Sequence, residues 1–292
     1  MSTRIGAALA EELEELARFV GRHQERPESN VPFFGSTPEE VAAEIAAWGP
    51  SWFETCLVAK RDGDLVGFIG ANVDGELGRA WVHGPFVEPA SWHELADRLL
   101  ERCTADATAR GADDHELAGD SANERLGELA GRHGFERRTP SKSLELGRNE
   151  LARLPPASVP PLEADDEGAF VELHERLFPA TYYSGSQLVH QHARREAIVL
   201  ALVEHGVLTG YAAGRIHATG EGYVDFVGVA EDARGEGRGR RLVTSICRRL
   251  LDEAPVSKIS LTVYEDNVAA LALYDRLGFE LAASVVGYRR RR

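Results

Sequence analysis

The sequence predicts an α/β protein built from two similar domains, each a twisted mixed β-sheet with helices on both faces. Short apolar segments typical of strands alternate with longer segments of helical periodicity. A proline-rich segment lies at 154–161, near the middle of the 292 residues. The two halves on either side repeat the same patterns. We therefore predict domains at 1–150 and 162–292, joined by a linker at 151–161.

In the first half, helical periodicity predicts helices at 7–20 and 38–48. A β-hairpin is predicted next, with apolar strands on either side of a turn at 61–64. A further strand should end at Val87. Asn123 and Gly134 then match the helix-start and helix-end signals found in the second half.

In the second half, helices are predicted at 166–177 and 187–196, followed by a hairpin with strands at 199–203 and 207–211. Further strands are predicted at 223–229 and 259–264. Asn267 should cap the last helix and Gly278 should end it in a left-handed conformation. These two residues follow Asn123 and Gly134 by 144 positions, which supports the repeat.

Three glycines at alternate positions separate the strand that ends at Val229 from a helical pattern. They are Gly235, Gly237 and Gly239. Glycine lets the backbone approach a phosphate closely, and the free N–H groups of a new helix point at it. The order of strand, glycine turn and helix start therefore predicts an anion site.

This turn resembles the acyl-CoA diphosphate loop of the GNAT superfamily of N-acetyltransferases, with Arg234, Gly237 and Gly239 at the fixed positions. Glu231 and Arg238 depart from the residues most common there. A second similarity follows at 267–279, where the superfamily has an asparagine, an alanine, a tyrosine and a final glycine-phenylalanine pair. Together the two similar segments span 223–279.

The resemblance implies that the second half binds acetyl-CoA as a cosubstrate. Backbone groups of Val227 and Val229 would bond the pantetheine amides. Arg234 would add positive charge, and Asn267 would cap its helix, contact the cofactor, or both. The diphosphate would accept hydrogen bonds from the N–H groups of Gly235, Gly237, Arg238, Gly239 and Arg240. No metal is implied.

The implied reaction is direct attack of an amine on the thioester. Tyr274 is the candidate general acid, since a phenol can protonate a departing thiolate. Asp225 and Tyr223 are candidates for the base, and strand alternation places both on one face with Val227 and Val229. Asp225 could equally brace the sheet, and a water relay is a further alternative. The aromatic loop at 178–184 resembles one that borders the acceptor site in relatives.

The first half lacks these site features. When the two halves are aligned at Val87 and Val229, Trp92, His93, Leu95 and Asp97 fall where the second half has Arg234 and the three glycines. At the offset of 144, Ala130 falls where it has Tyr274. We expect the first half to keep the fold without an acyl-CoA site.

Composition excludes several functional classes. The net charge of −14 argues against nucleic-acid partners. The absence of a long apolar run argues against a membrane protein, and the acidic N-terminal segment is unlike a signal peptide. Three widely spaced cysteines form no metal pattern and suggest a reducing cytoplasm. A homodimer is left open.

The sequence therefore predicts an N-acetyltransferase that acts on a small-molecule or peptide amine. One alternative is a non-catalytic acyl-CoA sensor or scaffold, since the first half suggests that the fold can outlast the activity. A second alternative is dinucleotide binding, although the glycine spacing is not that of the dinucleotide-binding fingerprint and the turn lies late in its domain.

Overall fold

The computed structural model describes residues 3–32, 34–49, 52–179, 181–217 and 220–291. The chain forms two compact units. Unit 1 comprises 1–141 and 283–292, and unit 2 comprises 142–282. The boundaries differ from the predicted ones because the last strand of the chain belongs to unit 1, and the segment from 142 onward already belongs to unit 2.

Unit 1 is a mixed sheet with helices on both faces. Its strands are β1 (Thr3–Ala7), β2 (Cys56–Arg61), β3 (Asp64–Asp74), β4 (Arg79–Val87), β5 (Asp114–Asp120), β6 (Glu136–Arg137) and the C-terminal β12 (Glu280–Arg291). Its helices are α1 (Leu13–Gln24), α2 (Pro38–Ala47), α3 (Trp92–Ala109) and α4 (Glu124–Arg132). The sheet order is β1-β2-β3-β4-β5-β12, with β4 and β5 parallel. The other neighbouring pairs in this order run antiparallel.

The first predicted helix is displaced in the structure. The segment Thr3–Ala7 forms an edge strand that pairs with β2, and α1 therefore begins only at Leu13. The prediction of a helix from residue 7 was wrong at its start because the strand is short and its pattern is too brief to recognise. The hairpin of β2 and β3 and the strand that ends at Val87 occur as predicted.

Unit 2 repeats this plan. Its strands are β7 (Ser141–Gly147), β8 (Ile198–Glu204), β9 (Val207–Ile216), β10 (Gly222–Val229) and β11 (Lys258–Tyr264). Its helices are α5 (Arg148–Arg153), α6 (Glu167–Leu177), α7 (Gly185–Ala193), α8 (Arg238–Glu253) and α9 (Val268–Arg276). The sheet order is β7-β11-β10-β9-β8, and β10 is parallel to β11. One core cluster packs under α8 and α9, and another packs under α6 and α7.

The proline-rich segment is packed rather than free. Its apolar residues Leu154 and Val159 are buried in unit 2, as is Leu162, which follows it. The backbone at 160–162 forms hydrogen bonds with β8, and Arg248 of α8 donates to the carbonyl oxygens of Leu154 and Pro155. The predicted linker therefore begins in a helix, α5, and continues as an extended strap along unit 2.

Corresponding helix ends show the repeat directly. The side chain of Asn123 accepts a hydrogen bond from the N–H of Leu126 at the start of α4, and Asn267 accepts one from Ala270 at the start of α9, both at 3.2 Å. Gly134 and Gly278 follow these helices with φ of +74° and +89°. The predicted caps and left-handed ends are confirmed.

The cysteines Cys56, Cys103 and Cys247 are buried free thiols. Burial raises the pKa of each thiol, to about 12 for Cys56 and Cys247. They behave as small apolar core residues. Within the described ranges, no helix is long and apolar enough to cross a membrane.

A stack of aromatic rings in unit 1 generates a prediction about acid stability. His83 of β4 packs against both Phe34 and Trp48, at 5.0 and 4.7 Å between ring centroids, and burial lowers its pKa to about 4. Because the unfolded chain binds a proton near pH 6.5, this ring destabilises the fold as the pH falls from 6.5 toward 4. Replacing His83 by Phe should keep the stack and remove about 2 kcal/mol of that acid loss.

The measurement is the free energy of unfolding between pH 7 and 4 for the wild type and His83→Phe. The control is His93→Phe, because His93 is exposed on α3 and should leave the acid limb unchanged. An acid limb in His83→Phe identical to that of the wild type would contradict the prediction.

Candidate active site

The glycine turn in unit 2 opens α8 without a side-chain cap. After β10, a 3₁₀ turn at Glu231–Ala233 leads to Gly235 and Gly237, which have φ of +91° and +78°. L-residues rarely adopt this left-handed conformation, so glycine is required at both positions. Gly237 is the N-cap residue of α8 and has no side chain with which to satisfy the helix start.

Backbone N–H groups at the start of α8 are free to bind an anion. The first N–H that bonds back to the cap residue is that of Arg241, which donates to the Gly237 carbonyl oxygen at 3.0 Å. The N–H groups of Arg238, Gly239 and Arg240 precede it, and no side chain of the described residues caps the helix. Together with the positive end of the helix dipole they form an anion site.

β10 and β11 separate beside this turn. They are paired only where 222–224 of β10 face 259–261 of β11. Beyond Val224, β10 continues to pair with β9 on its other side as far as Val229. The backbone around Val227 and Val229 therefore faces an opening between two parallel strands.

A β-bulge at Asp225 changes which side chains share a face. Val224 pairs with Gly214 and Phe226 pairs with Ala213, so Asp225 is an extra residue. Val224 and Val227 both pack in the cluster under α8. Asp225 instead bonds residues that pack with α6 and α7, so the prediction that it shares a face with Val227 was wrong. A bulge shifts the two-residue alternation, and strict alternation from the sequence cannot reveal it.

Asp225 forms a buried ion pair. Its Oδ2 accepts from Nε of Arg215 at 2.8 Å, and its Oδ1 accepts from the hydroxyl of Tyr182 at 3.1 Å. The Asp225 side chain is 3% exposed and that of Arg215 is 15% exposed. Burial raises the pKa of Asp225, although the guanidinium of Arg215 favours the charged form. The carboxylate is thus held by two partners, which is the bracing arrangement left open by the sequence.

Arg215 organises the surroundings of this pair. Besides Asp225, its guanidinium donates to the hydroxyl of Tyr183 and to Oε1 of Gln191, each at 3.1 Å. It also lies 4.4 Å from the ring centroid of Tyr183. Tyr182 and Tyr183 belong to the aromatic loop noted in the sequence, but Arg215 and Gln191 were not singled out, because their convergence depends on the path of the chain between α6 and α7.

A buried histidine of α6, His174, holds the loop that follows this helix. Nε2 of His174 donates to the carbonyl oxygen of Tyr183 at 2.9 Å, since that oxygen can only accept. Nδ1 then accepts from the hydroxyl of Tyr211 at 2.6 Å. Burial lowers the pKa of His174, which favours this neutral form. Of the predicted acceptor loop at 178–184, residue 180 lies outside the described residues.

Tyr223 bridges β10 and β11 near the point where they separate. Its hydroxyl donates to Oγ1 of Thr262 at 3.0 Å, and its ring meets His217 edge-on at 5.3 Å. Burial raises the pKa of Tyr223 well above its ordinary value. Tyr223 is therefore protonated at neutral pH.

Tyr274 of α9 lies in the cluster that α8 covers, and Val227 and Val229 pack against that cluster. It is 8% exposed, and its ring packs edge-on against Phe279 at 5.5 Å. Burial raises the pKa of Tyr274 to about 12. Among the described residues its hydroxyl has no hydrogen-bond partner, whereas Asn267 at the start of the same helix is exposed and acts as the N-cap.

The arginines around the glycine turn have different surroundings. Arg234 and Arg240 are exposed, and Nε of Arg234 lies 3.4 Å from the carbonyl oxygen of Val229. Arg238 is instead held by Glu204 and Glu236, at 2.6 and 2.9 Å. Arg234 and Arg240 are thus the exposed positive charges closest in sequence to the turn.

Unit 1 has no counterpart of the glycine turn. Its 3₁₀ turn at Pro89–Ser91 is followed at once by α3, which begins at Trp92. Leu95 is therefore a core residue of the first helical turn, and Asp97 forms an ion pair with Arg132 at 3.0 Å. The count from Val87 had placed these side chains in a phosphate loop, but the loop itself is missing.

A tandem pair of mixed sheets, one of which opens beside a glycine-rich helix start, defines an acyltransferase architecture. The chain belongs to the Acetyltransferase (GNAT) family, whose model matches residues 22–135 and 168–279. The predicted family and tandem arrangement are confirmed, and dinucleotide binding finds no support.

Similar proteins agree with this assignment. The mycothiol acetyltransferase of Geodermatophilus obscurus is 29% identical over 283 residues, which cover 87% of this chain and 88% of that protein. The mycothiol acetyltransferase of Parafrankia sp. is 44% identical over 87 residues, but these cover only 30% of this chain and 26% of that protein.

Two solved structures share the fold. A GCN5-related N-acetyltransferase from Sphaerobacter thermophilus has a TM-score of 0.76 at 19% identity, covering 99% of this chain and 95% of that one. A tandem GNAT protein from the clavulanic acid biosynthesis pathway has a TM-score of 0.67 at 15% identity, covering 99% of this chain and 98% of that one.

The buried ion pair generates a prediction about stability. Asp225→Asn should lower the free energy of unfolding of unit 2 by about 3 kcal/mol, because the guanidinium of Arg215 then stays buried without its counter-charge. Asp97→Asn in unit 1 is the control, and should cost less than about 1 kcal/mol because its pair with Arg132 is largely solvated. Thermal and urea unfolding of the three proteins provide the measurement. Equal losses in the two variants would show that the buried pair has no special role.

Proposed function

We propose that unit 2 transfers an acetyl group from acetyl-CoA to the primary amine of a small molecule by direct attack. The observation that carries the proposal is the uncapped start of α8 beside the separated ends of β10 and β11. An anion site and a narrow opening between strands suit a ligand that has a diphosphate at one end and a linear amide arm at the other.

Residues of the turn would hold the diphosphate. The N–H groups of Gly235, Gly237, Arg238, Gly239 and Arg240 supply donors, and Arg234 and Arg240 add exposed positive charge. Backbone groups of Val227 and Val229 would bond the amide arm in the opening. Asn267 already caps α9, so we assign it to shaping this region rather than to a required contact with the cofactor.

Attack requires a neutral amine, and its proton must leave as the new C–N bond forms. Asp225 is occupied by Arg215 and Tyr182, and Tyr223 is protonated. Neither is a free base in this arrangement. We therefore assign both to orienting the amine and a water molecule that carries the proton to solvent.

Tyr274 is the proposed donor to the leaving thiolate when the C–S bond breaks. Its high pKa keeps the hydroxyl protonated, so it can donate a hydrogen bond to the sulfur as negative charge develops there. A proton transferred to the sulfur would be replaced from solvent. The products are an amide and free CoA.

The names of the relatives guide the choice of acceptor. Several similar proteins are mycothiol acetyltransferases, which makes small amines related to mycothiol the first compounds to test. A peptide N terminus is the second class. The assay is release of free CoA, followed with a thiol reagent, across a panel of both classes.

A non-catalytic acyl-CoA sensor is a second candidate, favoured by the ion pair that occupies Asp225. Calorimetric binding of acetyl-CoA without CoA release from any amine in the panel would support the sensor. Amine-dependent release above the background hydrolysis would exclude it.

Gly239 provides a test of the diphosphate site. A Cβ at this helical position would lie 3.5 Å from Leu273, an ordinary contact, so a side chain here should leave the fold intact. Gly239→Glu should nevertheless weaken CoA binding at least about tenfold, because its carboxylate would fill the phosphate position and repel the diphosphate. Calorimetry with CoA is the measurement.

Gly131→Glu is the matched control, since Gly131 is also helical and has nothing within 4 Å of the added Cβ. It should leave CoA binding unchanged. Unimpaired binding in Gly239→Glu would place the diphosphate elsewhere.

Tyr274→Phe should lower kcat about 100-fold and leave CoA affinity within about twofold, because the hydroxyl acts on the developing thiolate and not on the ground state. Since the pKa of Tyr274 is about 12, kcat/KM of the wild type should show no Tyr274-dependent fall below about pH 10.

Tyr288→Phe, a buried tyrosine of unit 1, is the control and should keep full turnover. Unchanged kcat in Tyr274→Phe would remove this residue from the mechanism. A fall of wild-type activity near pH 8–9 that Tyr274→Phe abolishes would show a much lower pKa than burial implies.

A further inference from the structure

The guanidinium of Arg238 has three hydrogen-bonding or ion-pair partners beside the glycine turn. Its Nε donates to Oε2 of Glu204 at 2.6 Å, and its Nη1 donates to the carbonyl oxygen of Ala233 at 2.8 Å. Nη1 also pairs with Oε2 of Glu236 at 2.9 Å. The side chain is only 19% exposed, so this guanidinium is directed into the base of the turn. It is not presented to solvent as those of Arg234 and Arg240 are.

Glu236 is an unusual residue for an anion site. It lies between Gly235 and Gly237, directly before the free N–H groups of α8, and its side chain is 73% exposed. A carboxylate tethered at a helix start is itself attracted to the N–H groups and to the positive end of the dipole. Because it is tethered, its effective concentration there is high. Released from Arg238, Glu236 would compete with a diphosphate for the same donors and repel it.

We propose that Arg238 is a positioning residue that holds the Glu236 carboxylate away from the diphosphate site and thereby sets the affinity of the turn for CoA. The inference rests on the proposed binding of CoA to this turn. Arg238 acts through Glu236 and through the turn, and its guanidinium makes no phosphate contact.

Glu204 separates this role from simple bracing. It anchors Arg238 to the end of β8, and the hydrogen bond with Arg238 lowers the pKa of Glu204. If Arg238 served only to fasten the turn to the sheet, removing Glu204 would reproduce the loss of Arg238. If Arg238 restrains Glu236, the decisive partner is Glu236, and Glu204→Gln should change CoA affinity less than about twofold.

The experiment is calorimetric titration of the full chain with CoA at low ionic strength. Arg238→Met should weaken binding about tenfold, since it frees a competing carboxylate at the helix start. Glu236→Gln alone should leave binding unchanged or improve it up to about threefold. The double variant Arg238→Met/Glu236→Gln should recover most of the lost affinity. Raising the salt concentration to about 0.5 M should reduce the defect of Arg238→Met by screening.

Arg249→Met is the matched control. Arg249 forms an ion pair with Glu253 at 2.7 Å at the other end of α8, and its loss should not affect CoA binding. Circular dichroism checks that each variant is folded.

The outcomes distinguish a failure of the proposed function from a failure of the role assigned to Arg238. A wild type that does not bind CoA overturns the proposed function and this inference with it. A wild type that binds CoA, with an Arg238→Met defect that Glu236→Gln does not relieve, overturns the inference alone. The inference also fails if Arg238→Met binds CoA as the wild type does.

Discussion

The proposed site of unit 2 depends on a helix start, that of α8, which no side chain of the described residues caps. Every α-helix begins with N–H groups that need a partner, and a side-chain cap is one way to provide it. α9 has such a cap in Asn267, and α7 has one in Ser184. α8 has Gly237 in a left-handed conformation instead, which gives up the cap and leaves the donors facing outward. Such a start is stabilised when an anion occupies it.

In unit 1 the corresponding helix, α3, has no glycine turn before it. Its α3 begins directly after the 3₁₀ turn, with Trp92 packed into the core. The sheet, the hairpin of β2 and β3 and the capped α4 remain as in unit 2. The fold is therefore independent of the anion site, since the apolar contacts of strands and helices stabilise both units alike. The proposed site is confined to the few residues between β10 and α8, and to the side chains that face the strand opening.

Signals that are local in the sequence predicted the structure well. The glycine turn, the Asn267 cap and the end of α9 at Gly278 each depend on residues within one turn of the chain. The family resemblance also rested on such segments. The last strand, β12, was not predicted, since its partner β5 in unit 1 is distant in sequence. The bulge at Asp225 was hidden for a related reason. Its extra residue is defined only by the register with β9.

The same bulge determines what Asp225 can contribute to chemistry. The bulge turns the carboxylate toward the α6–α7 side, where Asp225 pairs with Arg215. This ion pair makes Asp225 a poor general base for an amine. A general base must accept a proton, and a carboxylate that already binds a guanidinium and a phenol does so only at the cost of a buried, uncompensated positive charge. Tyr223 is protonated at neutral pH, and we therefore propose that water accepts the amine's proton. The proposed mechanism therefore favours an amine whose pKa allows a sizeable neutral fraction in solution over one that the protein itself must deprotonate.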